Sequence, residues 1–323
     1  MKKILLPLCA SVFAMLACCM ASAQDWPQRP LHLVVPFPAG STPDVFARLL
    51  GERLAASLGQ PVVVDNKPGA GGMIGTGAIA KAAPDGYTFG VSITGPLVND
   101  TLLYRKMAYD PFTELAPITL AVNQPCILVA SRGFNAATLP EALAELERRP
   151  GQYNYASLGT GTMSHLAMET IAARSRTQVV QVPYPGSAQA VQALVSGDVN
   201  LGCMPPAAVM PQVKGGRLKA IGIAAKQRSP LLPGVKTLAE QGLADFEANA
   251  WIGIVAPAKT PAPILARLNA EIVRILHRAD TREALAAQMM EPVGSTPEQF
   301  AAYMREELER WGPLIRRNHI TLD

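Results

Sequence analysis

Short apolar runs alternate along this chain with longer stretches in which apolar residues recur every third or fourth position. The runs at 31–36, 61–65, 87–92, 116–121, 126–131, 153–157, 179–184, 199–204, 219–224 and 250–256 predict strands. The intervening stretches predict amphipathic helices. In the first of them Val45, Phe46, Leu49, Leu50 and Leu54 fall on one face. Thr42 is placed to cap it, Pro43 suits its first position, and Asp44 complements the positive end of its dipole. Capping-box spacing recurs at Thr138–Glu141, Thr237–Glu240, Asp280–Glu283 and Thr296–Gln299, and Thr260-Pro261 marks another start. The last helix, from about Pro297 to Arg317, sets Phe300, Met304, Leu308, Trp311 and Ile315 against a charged side. Gly312-Pro313 is placed to kink it or end it early. Strands alternating with helices predict an α/β fold with mainly parallel sheets flanked by helices. The apolar runs near 116–131 and 219–226 are suited to carry the chain out of one domain and back. The expected organisation is a discontinuous first domain, 24–125 with 226–323, around a second domain at 126–225, with a cleft between them.

The first 23 residues stand outside this pattern. Lys2 and Lys3 precede an apolar stretch from Ile4 to Met20, and Ala21-Ser22-Ala23 is a small-residue cleavage site. Residues 1–23 therefore read as a signal peptide, leaving Gln24 first. An uncleaved anchor fits less well, because the apolar run is short for a span. A lipid-attachment site at Cys18-Cys19 is a third reading. Loss of Lys2 and Lys3 lowers the formal charge from +4 to +2. A near-neutral chain offers no electrostatic case for nucleic acid or an anionic membrane. Of five cysteines, Cys126 and Cys203 would remain. An oxidising compartment permits a disulfide between them, but both sit in apolar runs, which favours buried free thiols.

Two loops carry the candidate chemistry. In Leu31-His32-Leu33-Val34-Val35-Pro36-Phe37-Pro38-Ala39-Gly40-Ser41-Thr42-Pro43-Asp44 an apolar strand runs through small residues into a helix. Ser157-Leu158-Gly159-Thr160-Gly161-Thr162 has the same character. Such loops present backbone N–H groups at a helix N-terminus, which suits an anion. The glycines of Pro68–Gly77 lack both the Gly-Lys-Ser/Thr ending of a phosphate loop and the dinucleotide spacing, so they read as a tight turn that lets a helix approach closely. His32, His165, His277 and His319 show no metal spacing. Ser41 and Ser157 lie in no nucleophile elbow, and Asp44 and Glu169 read as helix charges rather than a catalytic pair. Two oxyanion cradles without reaction machinery point to capture of a small acid, with no metal and no cofactor.

Several motifs together resemble the solute-binding proteins of tripartite tricarboxylate transporters, the Bug family. They include Val35-Pro36-Phe37-Pro38-Ala39-Gly40 with Asp44, the stretch Gly59–Gly72, Ala83-Pro84-Asp85-Gly86-Tyr87-Thr88, Tyr109-Asp110-Pro111, Asn154-Tyr155-Ala156-Ser157, Ser164-His165-Leu166-Ala167 and Val182-Pro183-Tyr184. The resemblance implies a two-lobed Venus-flytrap fold that closes on a small carboxylate, held largely by backbone groups and bridging waters. Carried over by position, it offers Phe37, Pro38, Ala39, Gly40 and Ser41 from the first lobe. The second offers Ser157, Gly159, Thr160, Thr162 and His165, and the turn with Tyr184, Gly186 and Ser187. Two departures stand out. Many relatives have glycine where this chain has Ser41, and an acid or polar residue where it has Met204. Met204 cannot pair with a ligand ammonium, which argues against an amino acid unless Met204 merely packs. The resemblance implies a periplasmic monomer that binds a small organic acid and delivers it to the transporter's membrane subunits. A sensor presenting the loaded form to a signalling partner is an alternative, and a hydrolase or isomerase on the same scaffold is another.

Overall fold

The computed structural model describes residues 26–322, so the signal-peptide reading lies outside the described residues. The chain begins with β1 (Leu31–Val35), α1 (Thr42–Leu58), β2 (Val62–Asn66), α2 (Met73–Ala80) and β3 (Thr88–Ile93). A π-turn over Gly95–Asn99 leads into the short α3 (Asp100–Leu103), and β4 (Leu115–Pro125) follows. A second unit contains β5 (Ile127–Ser131), α4 (Leu139–Arg148), β6 (Asn154–Ser157), α5 (Met163–Ser175), β7 (Val180–Pro183), α6 (Ser187–Ser196), β8 (Leu201–Met204), α7 (Pro206–Lys214) and β9 (Leu218–Ile223). The chain closes with β10 (Asn249–Pro257), α8 (Ala262–Leu276), α9 (Ala279–Ala287), β11 (Glu291–Pro292) and α10 (Pro297–Arg317).

Two sheets result, in the orders β11-β4-β10-β3-β1-β2 and β7-β6-β8-β5-β9. They are mixed rather than mainly parallel. β1 is parallel to β2 and β3, and β6 to β7 and β8, because helices connect them. β10 runs antiparallel to β3 and β4, and β5 to β8 and β9. These antiparallel pairs include the strands on either side of the crossings between the sheets. Around the first sheet, Leu31, Leu33 and Val35 pack with Phe46, Leu50 and Leu54 of α1 and with Leu268 and Ile272 of α8. On the opposite face Val34 packs with Ile79 of α2, so β1 is buried except at His32, as a parallel strand covered by helices on both faces requires. Around the second, Leu128, Tyr155 and Cys203 pack with Leu166 and Ile171 of α5 on one side. Val129, Ala156 and Met204 pack with Leu194 and Val209 on the other.

The return of the chain differs from the expected break at 226. Leu232 packs into the core of the second sheet beside Val209, and Leu238, Leu243 and Phe246 pack beside Leu128 and Tyr155. Residues 226–248 thus stay with the second lobe, and the return begins at β10. The crossing segments are tied together at one point. Cys126 N–H donates to the Ala248 carbonyl (3.0 Å), Ala224 N–H to Cys126 O (2.8 Å), and Ala248 N–H to Ala224 O (2.9 Å). Cys126 and Cys203 are buried and carry free thiols. A third connection is α10, which continues through Pro313 to Arg317 without ending at Gly312. Its Phe300 and Met304 pack on the first lobe, and its Trp311, Leu314 and Ile315 on the second.

Candidate functional site

Parallel neighbours release their following loops at one edge of a sheet, and that edge is where open α/β sheets bind ligands. In the first sheet, β1 and β3 lie side by side, so the loop 36–41 and the turn 94–99 share an edge. In the second, Ser157 pairs with Pro183, so the loop 158–162 and the turn 184–186 share another. The edges meet where Asn99 Nδ2 donates to the Gly161 carbonyl (3.1 Å). A side chain at Gly161 would collide with Leu103, so the loop of one lobe rests on the short helix of the other.

The first loop is built around Asp44. Gly40 takes φ +79, in the left-handed region that favours glycine, and its N–H donates to Asp44 Oδ2 (2.8 Å). Asn66 Nδ2 bridges Asp44 Oδ1 (2.8 Å) and the Phe37 carbonyl (3.0 Å), and Arg48 Nε reaches Asp44 Oδ2 (3.0 Å). Burial alone would raise the Asp44 pKa, but the hydrogen bonds from Arg48, Gly40 and Asn66 hold it below its ordinary value. The amide of Gly40 is therefore already answered by the protein's own carboxylate. Ser41, not Thr42, is the N-cap of α1, and its hydroxyl is free of capping. That Ser41 Oγ is buried without a partner among the described residues. Phe37 stands over the glycine turn, where a Cβ on Gly72 would come within 2.8 Å of its ring and 2.9 Å of Pro96. Pro38, Ala39 and Gly40 are exposed.

The second loop is held by its own side chains. Leu158 N–H donates to Ser164 Oγ (2.8 Å), Gly159 N–H to Ser157 Oγ (3.3 Å), and Thr162 Oγ1 to the Gly159 carbonyl (2.6 Å). Ser157 is fully buried and also accepts from Gln181 Nε2 (2.8 Å), so its hydroxyl positions the loop instead of facing the cleft. His165 is 5% exposed, and its Nδ1 accepts from Gly161 N–H (3.1 Å) while its ring stacks on Tyr155. Burial lowers its pKa, partly offset by Glu169, which keeps the imidazole in the neutral form this acceptor role needs. His165 thus supports the loop from behind. Thr160 is half-buried and makes no side-chain hydrogen bond among the described residues. Tyr184, Gly186 and Ser187 are half-buried on the adjoining turn, where Tyr184 N–H donates to the Ser157 carbonyl (2.9 Å).

Met204 is corrected outright. It has no exposed surface, pairs with Ile127 in the sheet, and packs against Val129 and Val209. The case it made against an amino acid lapses, since a side chain sealed in the core reads no ligand. Sequence reasoning missed Asn66, Asn99, Gln181 and Ser164. An asparagine just past an apolar strand was the only local hint of Asn99, whose partner lies 62 residues away. The glycines of 69–77 do serve close approach: a Cβ on Gly75 would lie 2.5 Å from Pro36 Cα and 2.7 Å from the Lys67 carbonyl. Cavities of ≈ 340 and ≈ 350 Å³ lie elsewhere, one between α5 and α10 and one beside the crossing strands. Among the described residues no cluster of His, Cys, Asp or Glu could hold a metal, and no helix is long and apolar enough to cross a membrane.

Two α/β lobes joined by crossing strands, with strand-to-helix loops of both brought to one junction, define a solute-binding protein of the periplasmic type. The family described as the tripartite tricarboxylate transporter family receptor matches residues 46–320, and the chain belongs to it. It is 37% identical over 296 residues to protein BugT of Bordetella pertussis, covering 91% of each chain. Its structure is similar to that of R. palustris Rpa4515 with adipate, at 30% identity and TM-score 0.83, covering 90% of this chain and 98% of that one. It is also similar to MatC from Rhodopseudomonas palustris with bound malate, at 34% identity and TM-score 0.78, covering 90% and 100%. This is a family of binding proteins, not of enzymes.

Proposed function

We propose that the protein captures a small carboxylate-bearing solute outside the cytoplasm and delivers it to the membrane subunits of a tripartite tricarboxylate transporter. The observation that carries this reading is the meeting of two strand-to-helix loops, one from each sheet, at the Asn99–Gly161 hydrogen bond. The N-termini of α1 and α5 open from these loops, and their positive ends favour an anion between them. Ser41 Oγ and Thr160 are the side chains left free to contact it, with Tyr184, Gly186 and Ser187 beside them. Structural relatives that hold adipate and malate support a carboxylate as the ligand. Export by cleavage after Ala23 belongs to the same reading, and mass analysis of the exported protein should find Gln24 first.

The test is thermal unfolding of purified protein across mono-, di- and tricarboxylates. A ligand of the folded state raises the midpoint with its concentration, by RT ln(1 + [L]/Kd) in free energy. At least one small acid should do so, and its matching amide or ester should not. Equal stabilisation by acid and neutral ester would overturn carboxylate recognition.

A further inference from the structure

The chain does not fray where α10 ends. His319 takes φ +49, in the left-handed region, and Asn318 precedes it as the C-cap. His319 N–H donates to the Arg316 carbonyl (3.3 Å) and Ile320 N–H to that of Ile315 (3.0 Å), the paired bonds of a Schellman motif. Ile320 packs against the core of the second lobe, to which Ile315 belongs. This stop turns residues 318–322 back onto two helices that follow the candidate loops. Asn318 Nδ2 donates to Glu169 Oε2 on α5 (3.1 Å), and Leu322 N–H donates to the Leu103 carbonyl on α3 (3.0 Å). Chain ends are poorly ordered unless tied down, and this one is tied at both sides. The same two helices also meet through Gly161. Its N–H donates to His165 Nδ1 (3.1 Å), and His165 Nε2 stands 4.0 Å from Glu169 Oε1, which accepts from Tyr155 OH (2.8 Å). Its carbonyl accepts from Asn99, and its Cα rests on Leu103, where a Cβ would collide. Glu169 and Leu103 are thus joined by two routes, one through the tail and one through the loop 158–162.

We propose that residues 318–322 are a positioning element of the solute site. They hold α3 to α5, so that Asn99 and Leu103 stay against Gly161 and the turn 94–99 keeps its spacing from the loop 158–162. This rests on the reading of those loops as the place where a carboxylate binds. The tail acts through α3 and Glu169 rather than through the solute. The need for it lies in α3, which is a single turn of four residues. So short a helix has little stability of its own, and its place is set by what it touches. Leu103 is held on one side by the core it enters and on the other by the N–H of Leu322. Without that bond the last turn of α3 is free to lift, and Gly161 loses the surface on which it rests.

Amide hydrogen exchange of the solute-free protein, together with calorimetric titration against adipate and malate, tests this. Leu322→Pro removes the N–H that reaches Leu103, whereas Leu322→Ala keeps it. In Leu322→Pro the Gly161 amide should exchange about three- to tenfold faster, and an acid that binds wild type should bind weaker by a similar factor. The amide of Leu33 in β1 should exchange at its wild-type rate, which shows the change to be local. Leu322→Ala should match wild type in both measurements. A chain ending at Arg317 loses both links and should show a larger effect at Gly161 than Leu322→Pro. Wild-type exchange at Gly161 in Leu322→Pro and in the shortened chain overturns the proposal. So does equal acceleration in Leu322→Ala and Leu322→Pro, or faster exchange with affinity unchanged. Binding of neither acid counts against the carboxylate reading alone, because exchange at Gly161 needs no solute and still decides whether the tail holds the loop.

Discussion

Ser157 and Thr160 stand three residues apart in one loop, yet their hydroxyls have different tasks. Ser157 Oγ is enclosed and accepts from Gln181 and Gly159, whereas the Thr160 hydroxyl has no hydrogen-bond partner among the described residues. Thr160→Val should weaken solute binding by about ten- to a hundredfold with little change in stability. Ser157→Ala should instead lower stability by about 1–3 kcal/mol, because it leaves buried donors unanswered. Titration and urea unfolding of both variants separate the two roles. Asp100 gives a pH signature. Its native pKa of about 7 lies above the ordinary 3.8, so between these values the folded state holds a proton that the unfolded chain has released. Folding stability from this group therefore falls as pH rises from about 4 to 7. Asp100→Asn removes that slope. The variant should be more stable than wild type at pH 8, with the difference closing toward pH 4, as read by urea midpoints across that range. His165 works in the opposite sense and cancels from the comparison, being present in both proteins.

The elements differ in how much of their geometry is local. Thr138 and Thr296 form the capping boxes that their spacing predicts. Thr237 makes the same pair of bonds, with its N–H donating to Glu240 Oε2 (2.7 Å) and its Oγ1 accepting from Glu240 N–H (2.9 Å), yet no helix follows. Gly242, at φ +104, turns the chain instead, and Leu243 enters the core. Arg278, not Asp280, precedes the helix at 279, and Thr260 lies one residue before the N-cap Pro261. The glycine turn before α2 shows an element placed by contact rather than propensity. Gly75 lets α2 approach the backbone of Pro36 and Lys67, and Pro36 opens the loop 36–41, where the solute is proposed to bind. Gly75→Ala should cost about 1–3 kcal/mol through overpacking. Because the strain falls on Pro36, solute affinity should drop as well, and an equally destabilising change far from the loop should not have that effect. Urea unfolding with titration on the same samples checks both parts.

Across the whole molecule, α10 straps the lobes together around one carboxylate. Trp251 of β10 and Trp311 of α10 both donate their Nε1 protons to Glu307 Oε2, at 3.2 and 3.1 Å, and Arg310 pairs with Oε1 at 2.9 Å. Trp251 belongs to the core of the first lobe and Trp311 to that of the second. Burial raises the Glu307 pKa, opposed by Arg310 and the two indoles. Glu307→Ala would leave two indole donors and a guanidinium without their partner, at a cost of about 3–5 kcal/mol. Urea unfolding should show this loss, and tryptophan fluorescence should shift in the native state, since both indoles lose the same neighbour. Fluorescence unchanged from wild type would mean that the two rings do not share this carboxylate.

Periodicity is a local property, so the strands, the main helices and the two cradle loops were legible from residues within a few positions of one another. Val34-Val35-Pro36 announces a strand end whatever the rest of the chain does, and Thr138-Leu139-Pro140-Glu141 caps a helix by itself. Strand direction and lobe membership were not legible in this way. Apolar runs look alike in parallel and antiparallel neighbours, so β10 and β5 disclosed nothing of their direction. Residues 226–248 join the second lobe only because Leu238 and Phe246 find its core. The site divides along the same line. The two strand-to-helix loops could be read from composition, but the partner of each polar group is set by distant chain: Asp44 takes Asn66, Ser157 takes Gln181, and Asn99 takes Gly161. Which donors remain for a solute is what those pairings leave over, and that remainder exists only once the two sheets have been brought together.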